Sequence, residues 1–300
     1  MSATTSHAIL VTGAGGQLGT ELQRCAWPQG YEIVAIDHDT LDLRDSEAIA
    51  AMVASRPFAA VINGAAYTAV DKAESDVVTA WAVNAMAPAA FGEACAKAGI
   101  PLVQVSTDYV FAGDRQGAWE VNDPVAPLGV YGASKLGGEL AVRTSGARHV
   151  IVRTAWVVSA HGHNFIKTML RLAETRDTLS VVADQHGAPT SAADLANVLM
   201  TITQRLVEDE DAPPGTFHFS NAGSISWADF ATEIFRQSGL RGGPTAEVVP
   251  IPSSDYPTPA VRPANSRLSH SAIYAAYGIA PRDWQAALSD ILDELIGATQ

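Results

Sequence analysis

The sequence predicts an α/β fold: a Rossmann-type, doubly wound parallel sheet with a smaller α/β substrate-binding domain at its C-terminal side. Short apolar segments alternate with helical patterns over residues 8–153, as in parallel sheets that are covered by helices on both faces. Beyond that point the elements are shorter and are separated by proline-containing loops. We therefore expect a nucleotide-binding domain over 1–155, completed by elements around 178–207, and a mainly substrate-binding, discontinuous domain over 156–300.

The first predicted strand leads directly into a glycine-rich turn. The strand covers Ala8 to Thr12, and the turn contains Gly13, Gly16 and Gly19 before a helical pattern begins. Small residues let the backbone approach a pyrophosphate, and a helix N-terminus supplies amides and a favourable dipole. The turn therefore predicts a dinucleotide site, with the spacing G-x-x-G-x-x-G in place of G-x-G-x-x-G.

The second predicted strand, Glu32 to Ile36, ends at Asp37. A carboxylate at this position accepts hydrogen bonds from the adenosine ribose of a dinucleotide. No Lys or Arg follows in residues 38–40, so a 2′-phosphate has no obvious cation there. We expect NADH to be at least a competent cofactor, NADPH to be no better than comparable, and Asp42 and Leu43 to lie near the adenine.

The next segments predict one helix, one strand and a long interrupted helix. The first helix begins at Asp45 or Ser46 and ends near Arg56, and the strand covers residues 60–62. Small residues from Asn63 to Ala66 suit close passage beside a cofactor. Asp71 and Glu74 resemble a capping pair that opens a helix running to Lys97, with a kink or break near Pro88.

The central stretch places reactive side chains after a buried strand. Leu102 to Val105 is short, apolar and partly β-branched, as buried parallel strands are. Thr107 therefore follows the carboxyl end of this strand, where open α/β sheets bind their ligands. Tyr131 and Lys135 are four residues apart, so a helix would place both side chains on one face.

This spacing has a chemical consequence for the tyrosine. A free tyrosine has a pKa of about 10, and a nearby ammonium lowers that pKa because it favours the phenolate. We expect Lys135 to act in this way on Tyr131. The phenol then exchanges a proton with a carbonyl or alcohol oxygen near neutral pH, while the hydroxyl of Thr107 orients the same oxygen.

The remaining chain predicts a mixture of short strands and helices. The predicted strands are His149–Arg153, Leu179–Val182, Phe217–Phe219 and Glu247–Ile251, and the predicted helices are Asn164–Leu172, Ala192–Val207, Trp227–Gln237 and Trp284–Ile296. Residues 252–267 are proline-rich and irregular, and they contain Arg262.

Composition excludes several classes of function. No apolar run approaches the ~20 residues of a membrane span, and the polar N-terminus lacks a secretory signal, so we expect a cytoplasmic protein without a membrane partner. The net charge of −13 argues against nucleic acid, which requires clustered Lys and Arg. Two cysteines do not make a disulfide framework. His161, His163 and His186 lack metal-ligand spacing, and no metal residues are assigned.

Several ordered motifs carry a family resemblance across nearly the whole chain. They are Gly16-Gln17-Leu18-Gly19, Ala65-Ala66-x-Thr68-x-Val70-Asp71-Lys72, Ser106-Thr107-Asp108-Tyr109-Val110-Phe111, Tyr131-x-x-Ser134-Lys135-x-x-Gly138-Glu139, Asp184-Gln185-x-Gly187 and Arg262-Pro263-x-Asn265. Together they resemble the extended short-chain dehydrogenase/reductase superfamily and, within it, the dTDP-4-dehydrorhamnose reductase family.

The resemblance implies an activity and a set of roles. Members reduce the C4 ketone of dTDP-4-dehydro-6-deoxy-L-mannose with NADPH or NADH, in making dTDP-L-rhamnose for cell-surface polysaccharides. Tyr131 is then the proton donor, Lys135 holds the nicotinamide ribose, and Thr107 assists at the carbonyl. Together with Gly13, Asp37 and Ala65, which the residues themselves predict, the cofactor residues are Gly16, Gln17, Leu18, Asp42, Leu43, Ala66, Tyr67, Thr68, Tyr131 and Lys135. The implied substrate residues are Thr107, Asp108, Tyr109, Trp156, Asn164, Gln185 and Arg262.

The resemblance bears on assembly as well. Some members are dimers bridged by magnesium on acidic residues, and Glu21 matches one of them. The helix beginning at Ser191 lacks a glutamate at its start, which argues against the magnesium bridge here. A monomer and a homodimer both remain compatible with the sequence.

Two other functions stay open at this point. One is another nucleotide-sugar reductase, a 4-epimerase or a 4,6-dehydratase, but such dehydratases carry Asp-Glu after the catalytic threonine and here Asp108 precedes Tyr109. The other is a non-catalytic subunit, since the regulatory subunit of eukaryotic methionine adenosyltransferase resembles the same reductases and binds protein partners.

Overall fold

A six-stranded parallel sheet forms the centre of the molecule, which is described by a computed structural model covering residues 7–297. Within these residues the twelve strands are β1 (His7–Thr12), β2 (Tyr31–Ile36), β3 (Phe58–Asn63), β4 (Leu102–Thr107), β5 (His149–Thr154), β6 (Val157–Val158), β7 (Thr178–Val182), β8 (His186–Gly187), β9 (Thr190–Ser191), β10 (Gly215–His218), β11 (Ile225–Ser226) and β12 (Glu247–Ile251).

Helices connect most of these strands. Over the same described residues the α-helices are α1 (Gln17–Arg24), α2 (Ser46–Ala54), α3 (Val70–Ala73), α4 (Val77–Trp81), α5 (Ala87–Ala98), α6 (Val130–Thr144), α7 (Phe165–Ala173), α8 (Ala192–Glu208), α9 (Trp227–Leu240), α10 (Ser271–Tyr277) and α11 (Trp284–Ile296). None of the described helices is long and apolar enough to cross a bilayer.

The central sheet has the order β10-β5-β4-β3-β1-β2, and all of its strand pairs are parallel. The predicted parallel, doubly wound sheet is therefore confirmed. The strand order reverses between β1 and β3, where Ile9 pairs with Ile33 on one side and with Ala60 on the other. At such a point the connections leave in opposite directions and open a crevice at the carboxyl ends of the strands.

Helices cover both faces of this sheet, because its strands are apolar on both sides. On one face α1 and α8 pack through buried side chains such as Leu22 and Leu199. On the other face α2 and α5 pack through residues such as Ile49 and Phe91. The sheet is thus a fixed platform for the loops at its edge.

The C-terminal part has a second apolar core, built by α7, α9 and α11 around the parallel pair β7–β12. Of the elements predicted to complete the nucleotide-binding domain, α8 packs on the central sheet but β7 pairs with β12 instead. The predicted strand at 217–219 is β10, and it adds the sixth strand to the central sheet beside β5. The sequence does not predict this pairing, because α8 carries the chain across the sheet before β10 begins.

The predicted long helix after residue 71 is broken into three parts. A π-helical turn at Ala82–Met86 precedes α5, whose first turn contains Pro88. The break predicted near this proline is therefore confirmed. It arises because a proline ring clashes with the carbonyl group four residues earlier. The predicted capping pair is wrong. Helix α3 begins before Asp71, whose carboxylate accepts a hydrogen bond from Arg262, and Glu74 accepts one from the amide of Val130.

Candidate active site

A cavity of about 1020 Å³ lies at the carboxyl ends of the central strands. It contains the switch point between β1 and β3 and the start of α6. The predicted site residues that line it are Gly13, Gly16, Gln17, Leu18, Asp37, Asp42, Leu43, Ala65, Ala66, Thr68, Thr107, Asp108, Tyr109, Tyr131, Lys135 and Trp156. Residues widely separated in the chain therefore converge on one space.

The glycine-rich turn has the geometry of a nucleotide cradle. Gly13 has a φ of +78°, which favours glycine. A Cβ on Gly19 would lie 2.0 Å from the carbonyl oxygen of Gly13, so only glycine allows α1 to begin this close to the turn. Gly16 caps α1 without a side-chain hydrogen bond to the first turn. The cradle therefore fits a dinucleotide phosphate.

A cation, Arg44, lines the same cavity as Asp37, the residue that follows β2. Asp37 accepts hydrogen bonds from the backbone amides of Asp39 and Thr40, at 3.1 and 3.3 Å. Arg44 lines the same cavity and pairs with Asp42 at 2.6 Å, and hydrogen bonds from Arg44 lower the pKa of Asp42 to about 2. Residues 38–40 by themselves predict no cation at this place, and the position of Arg44 could not be predicted because the turn that brings it to the cavity is not visible in the sequence.

Buried amides hold the segment after β3. Asn63 accepts a hydrogen bond from the hydroxyl of Thr12 at 2.6 Å and donates to Gln104 at 2.8 Å. Asn84 accepts from the amide of Tyr67 at 2.9 Å and donates to its carbonyl at 3.1 Å. The backbone of the small-residue run is thereby fixed beside the cavity, although the side chain of Tyr67 itself does not line it and donates to Asp76.

Thr107 and Asp108 form a buried polar pair at the end of β4. The hydroxyl of Thr107 donates to Oδ1 of Asp108 at 3.0 Å and accepts from the amide of Tyr109 at 3.2 Å. Oδ2 of Asp108 has no hydrogen-bond partner of good geometry among the described residues, although Ser266 lies close. Burial raises the pKa of Asp108 to about 6. A buried, unpartnered oxygen in a cavity wall is a ready contact for a polar ligand.

Tyr131 and Lys135 lie in the first two turns of α6 and both line the cavity. Burial lowers the pKa of Lys135 to about 8, against an opposing effect of Glu139. Burial also raises the pKa of Tyr131, with an opposing effect of Thr107. The expected lowering by Lys135 is therefore wrong for this structure, because Nζ of Lys135 donates to the carbonyl of Val105 at 2.8 Å and desolvation dominates at the phenol.

A buried ion network anchors α6 to the strands below it. Glu139 accepts hydrogen bonds from the hydroxyl of Ser106 at 2.6 Å and from Nε and Nη2 of Arg153 at 2.8 and 2.7 Å. The guanidinium of Arg153 lies over the ring of Phe111, 5.0 Å from its centroid. Glu139 and Arg153 are at most 1 % exposed, so the network fixes the helix one turn beyond Lys135.

Three predicted substrate residues do not line the cavity. Asn164 caps α7 and donates to Oε1 of Gln17 at 2.9 Å. Gln185 donates to the hydroxyl of Ser253. Arg262 pairs with Asp71 at 2.6 Å and donates to the hydroxyl of Tyr109 at 3.2 Å. Asn164 and Arg262 therefore reach the cavity through the lining residues that they contact.

Glu21, the residue matched to a magnesium ligand, lies among basic side chains. Its carboxylate is 3.8 Å from Nε of Arg24 and 3.5 Å from Nε2 of His161, and burial raises its pKa. Within residues 7–297 no cluster of three or more His, Cys, Asp or Glu side chains is arranged to hold a metal ion. Of the three histidines considered earlier, His163 lines the cavity.

Comparisons with known proteins agree across the chain. Residues 7–296 match the family described as RmlD substrate binding domain. A dTDP-4-dehydrorhamnose reductase of Aggregatibacter actinomycetemcomitans is 42% identical over 288 residues, covering 94% of this chain and 97% of that protein. The crystal structure of one from Clostridium acetobutylicum superposes with a TM-score of 0.89 at 38% identity, over 96% of this chain and 99% of that one. One from Bacillus anthracis, in complex with NADP, has a TM-score of 0.89 at 35% identity and the same coverage.

Proposed function

Because the chain belongs to the dTDP-4-dehydrorhamnose reductase family, we propose that it reduces the C4 ketone of dTDP-4-dehydro-6-deoxy-L-mannose to give dTDP-L-rhamnose, with NADPH or NADH as the reductant. One observation carries the proposal. Thr107, Tyr131 and Lys135 line the same cavity as the glycine-rich turn, so a bound dinucleotide and a ketone would meet at a proton donor.

The cradle residues would hold the cofactor. The amides at the start of α1 would bind its diphosphate, the small residues after β3 would pass beside it, and Asp37 would accept hydrogen bonds from its adenosine ribose. When bound, the reduced nicotinamide supplies a hydride to the carbonyl carbon of the sugar. Arg44 supplies a cation for a 2′-phosphate, and Asp37 suits a free ribose, so both cofactors have a partner at this end of the cavity.

The chain's own residues deal with the charge that develops on the ketone oxygen. The hydroxyl of Thr107, which in this structure donates to Oδ1 of Asp108, would turn to donate to that oxygen and orient it, and Tyr131 would give it a proton. The raised pKa of Tyr131 keeps the phenol protonated at neutral pH, which is the form that a reduction requires. Lys135, one helical turn further along α6, would hold the nicotinamide ribose.

Substrate contacts come from the other side of the cavity. Asp108 and Trp156 would contact the sugar, since both line the space next to Tyr131. Arg262 would contact the diphosphate through its planar guanidinium. In this structure Arg262 is held by Asp71 and Tyr109, which sets its position beside the cavity wall.

The alternative activities have weaker support. A 4,6-dehydratase needs a glutamate after Asp108, whereas Tyr109 occupies that position and accepts a hydrogen bond from Arg262. A purely regulatory subunit has no use for a buried proton donor beside a buried lysine.

We also propose a cytoplasmic location, in keeping with a nucleotide-sugar substrate, and a monomer or homodimer without a magnesium bridge.

The decisive experiment mixes the protein with NADPH or NADH and the 4-keto sugar nucleotide and follows the loss of nicotinamide absorbance. We expect stoichiometric formation of dTDP-L-rhamnose, identified by mass and by its proton spectrum. If the protein binds the cofactor but never oxidises it with any 4-keto sugar, the result would support the alternative hypothesis that the protein is a non-catalytic regulatory subunit.

A further inference from the structure

Trp156 has a strained backbone at the wall of the cavity. Its φ of +50° makes it the one non-glycine residue with positive φ among the residues the structure describes. A bulky side chain is disfavoured in this left-handed region. Such strain persists only where the surroundings impose it, and it is concentrated at ligand sites. The groups that hold Trp156 in place are therefore of functional interest.

Hydrogen bonds fix the backbone on both sides of this residue. The carbonyl of Trp156 accepts from the amide of Thr190 at 3.0 Å, and the carbonyl of Ala155 accepts from the hydroxyl of Thr190 at 2.6 Å. Both bonds join the two residues between β5 and β6 to β9. The main chain therefore aims the indole, but it does not determine the side-chain torsions.

Two other groups determine the position of the ring. The indole of Trp227 stacks on that of Trp156, with centroids 3.6 Å apart and planes inclined by 14°. Gly187 packs against the ring edge, where a Cβ would lie 2.6 Å from Cε2 and 3.0 Å from Nε1 of Trp156. One face and one edge of the indole are thus occupied by protein.

Trp227 belongs to the C-terminal apolar core. It is the first residue of α9 and packs against Phe165 and Phe230, with ring centroids at 4.6 and 6.3 Å. Among the described cavity-lining residues Trp156 is present and Trp227 is not. The stacked pair therefore transmits the position of the C-terminal core to the cavity wall.

We propose that Trp227 is a positioning residue for sugar binding, which holds the indole of Trp156 against the sugar ring, with Gly187 as the stop that keeps the indole in register. The inference rests on the proposed function, because it takes Trp156 as a sugar contact. An indole offers a flat apolar face for the C–H groups of a pyranose and one N–H donor. Both depend on the orientation of the ring, and a small misplacement is costly at a reacting centre.

The test compares Trp227→Ala, Trp227→Phe and Gly187→Ala with a matched control, Trp284→Phe. Trp284 is also the first residue of a helix and also packs on Phe230, but it contacts Gly223 and not Trp156. We expect Trp227→Ala and Gly187→Ala to raise KM for the sugar nucleotide about tenfold, or about 1.4 kcal/mol, with KM for NADPH unchanged. Trp227→Phe restores a stacking ring and most of the affinity, and Trp284→Phe leaves both KM values unchanged.

A structural readout separates this inference from the proposed function. Stacked indoles give an exciton couplet in circular dichroism, which we expect to be absent in Trp227→Phe and Trp156→Phe and present in Trp284→Phe. If the wild type reduces the sugar but Trp227→Ala keeps its KM within twofold, Trp227 only fills the core and the inference fails. If the couplet is as expected but the wild type reduces no 4-keto sugar, the proposed function fails while the stacked pair stands.

Discussion

Nζ of Lys135 donates a hydrogen bond to the carbonyl oxygen of Val105, 2.8 Å away. This bond crosses from α6 to β4, two residues before Thr107, so it ties the lysine to the strand that carries the threonine. It also explains how an ammonium is accommodated at 4 % exposure, since a buried charge must find a polar partner.

Removal of the phenolic hydroxyl in Tyr131→Phe should lower kcat by about 10²- to 10⁴-fold, the usual contribution of general acid catalysis. The phenyl ring preserves the packing against Tyr109, whose ring lies edge-on at 5.4 Å, so cofactor affinity should be little changed. Stopped-flow loss of nicotinamide absorbance at saturating 4-keto sugar measures the step. A rate within threefold of the wild type would show that a group other than Tyr131 donates the proton to the ketone oxygen.

The pH profile should have an alkaline limb near pH 8. Burial lowers the pKa of Lys135 to about 8, so the ammonium is present below that pH and lost above it. The raised pKa of Tyr131 keeps the phenol protonated over the same range, which leaves Lys135 as the first of the two to titrate. We expect kcat to fall as pH rises through this value, and Lys135→Met to have low kcat, weaker cofactor binding and no such limb. A wild-type profile that is flat through pH 9 would contradict the assignment.

Arg44→Ala should weaken NADPH selectively. The guanidinium lines the same cavity as Asp37 and is solvent-exposed, so we expect only a three- to tenfold rise in KM for NADPH, about 0.7–1.4 kcal/mol. KM for NADH should stay constant. Arg56→Ala is the control, since Arg56 forms a comparable exposed ion pair with Glu32 and does not line the cavity. If Arg44→Ala raises KM for NADPH and KM for NADH equally, Arg44 does not recognise the 2′-phosphate.

Arg262→Ala should chiefly raise KM for the sugar nucleotide, by about tenfold or more for a lost charge-assisted phosphate contact. Asp71→Asn keeps the shape of the partner that holds Arg262 at 2.6 Å but removes its charge, so a smaller rise is expected. Initial-rate kinetics with the sugar nucleotide varied at saturating NADPH give both values. If Arg262→Ala leaves KM unchanged, the arginine is structural and the diphosphate is held elsewhere.

The buried ion network should matter for stability. Arg153→Met removes one partner of a pair in which both side chains are at most 1 % exposed, and an unpaired buried carboxylate typically costs about 3–5 kcal/mol. Arg143→Met removes a second, one-third exposed contact to the same carboxylate and should cost about 1 kcal/mol or less. Urea unfolding measures both changes. If the two variants lose similar amounts of unfolding free energy, the charge of Glu139 does not depend on Arg153 for its stabilisation.

The fold of the first half and the cofactor cradle were predictable because their signals are local. Strand β1, the glycine turn and helix α1 follow one another in the chain, and each is recognised by periodicity or by side-chain size. The four-residue spacing of Tyr131 and Lys135 likewise predicts a shared helix face. Where those signals stop, as after β5, the predicted strand at 217–219 could not be assigned to a sheet, because strand pairing depends on where the intervening helix returns the chain.

The sequence by itself determined the identity and spacing of the groups that the proposed chemistry uses, since helix and strand geometry act on neighbours in the chain. Only the tertiary structure decided their electrostatics and their partners. The pKa of Tyr131 is governed by desolvation, which depends on every group packed around it. The pairing of Arg262 with Asp71 joins residues 191 positions apart, and the stack of Trp227 on Trp156 joins two separate packing layers. Such contacts exist only after the chain has folded, because packing and exclusion of water, not local backbone preference, bring these groups together.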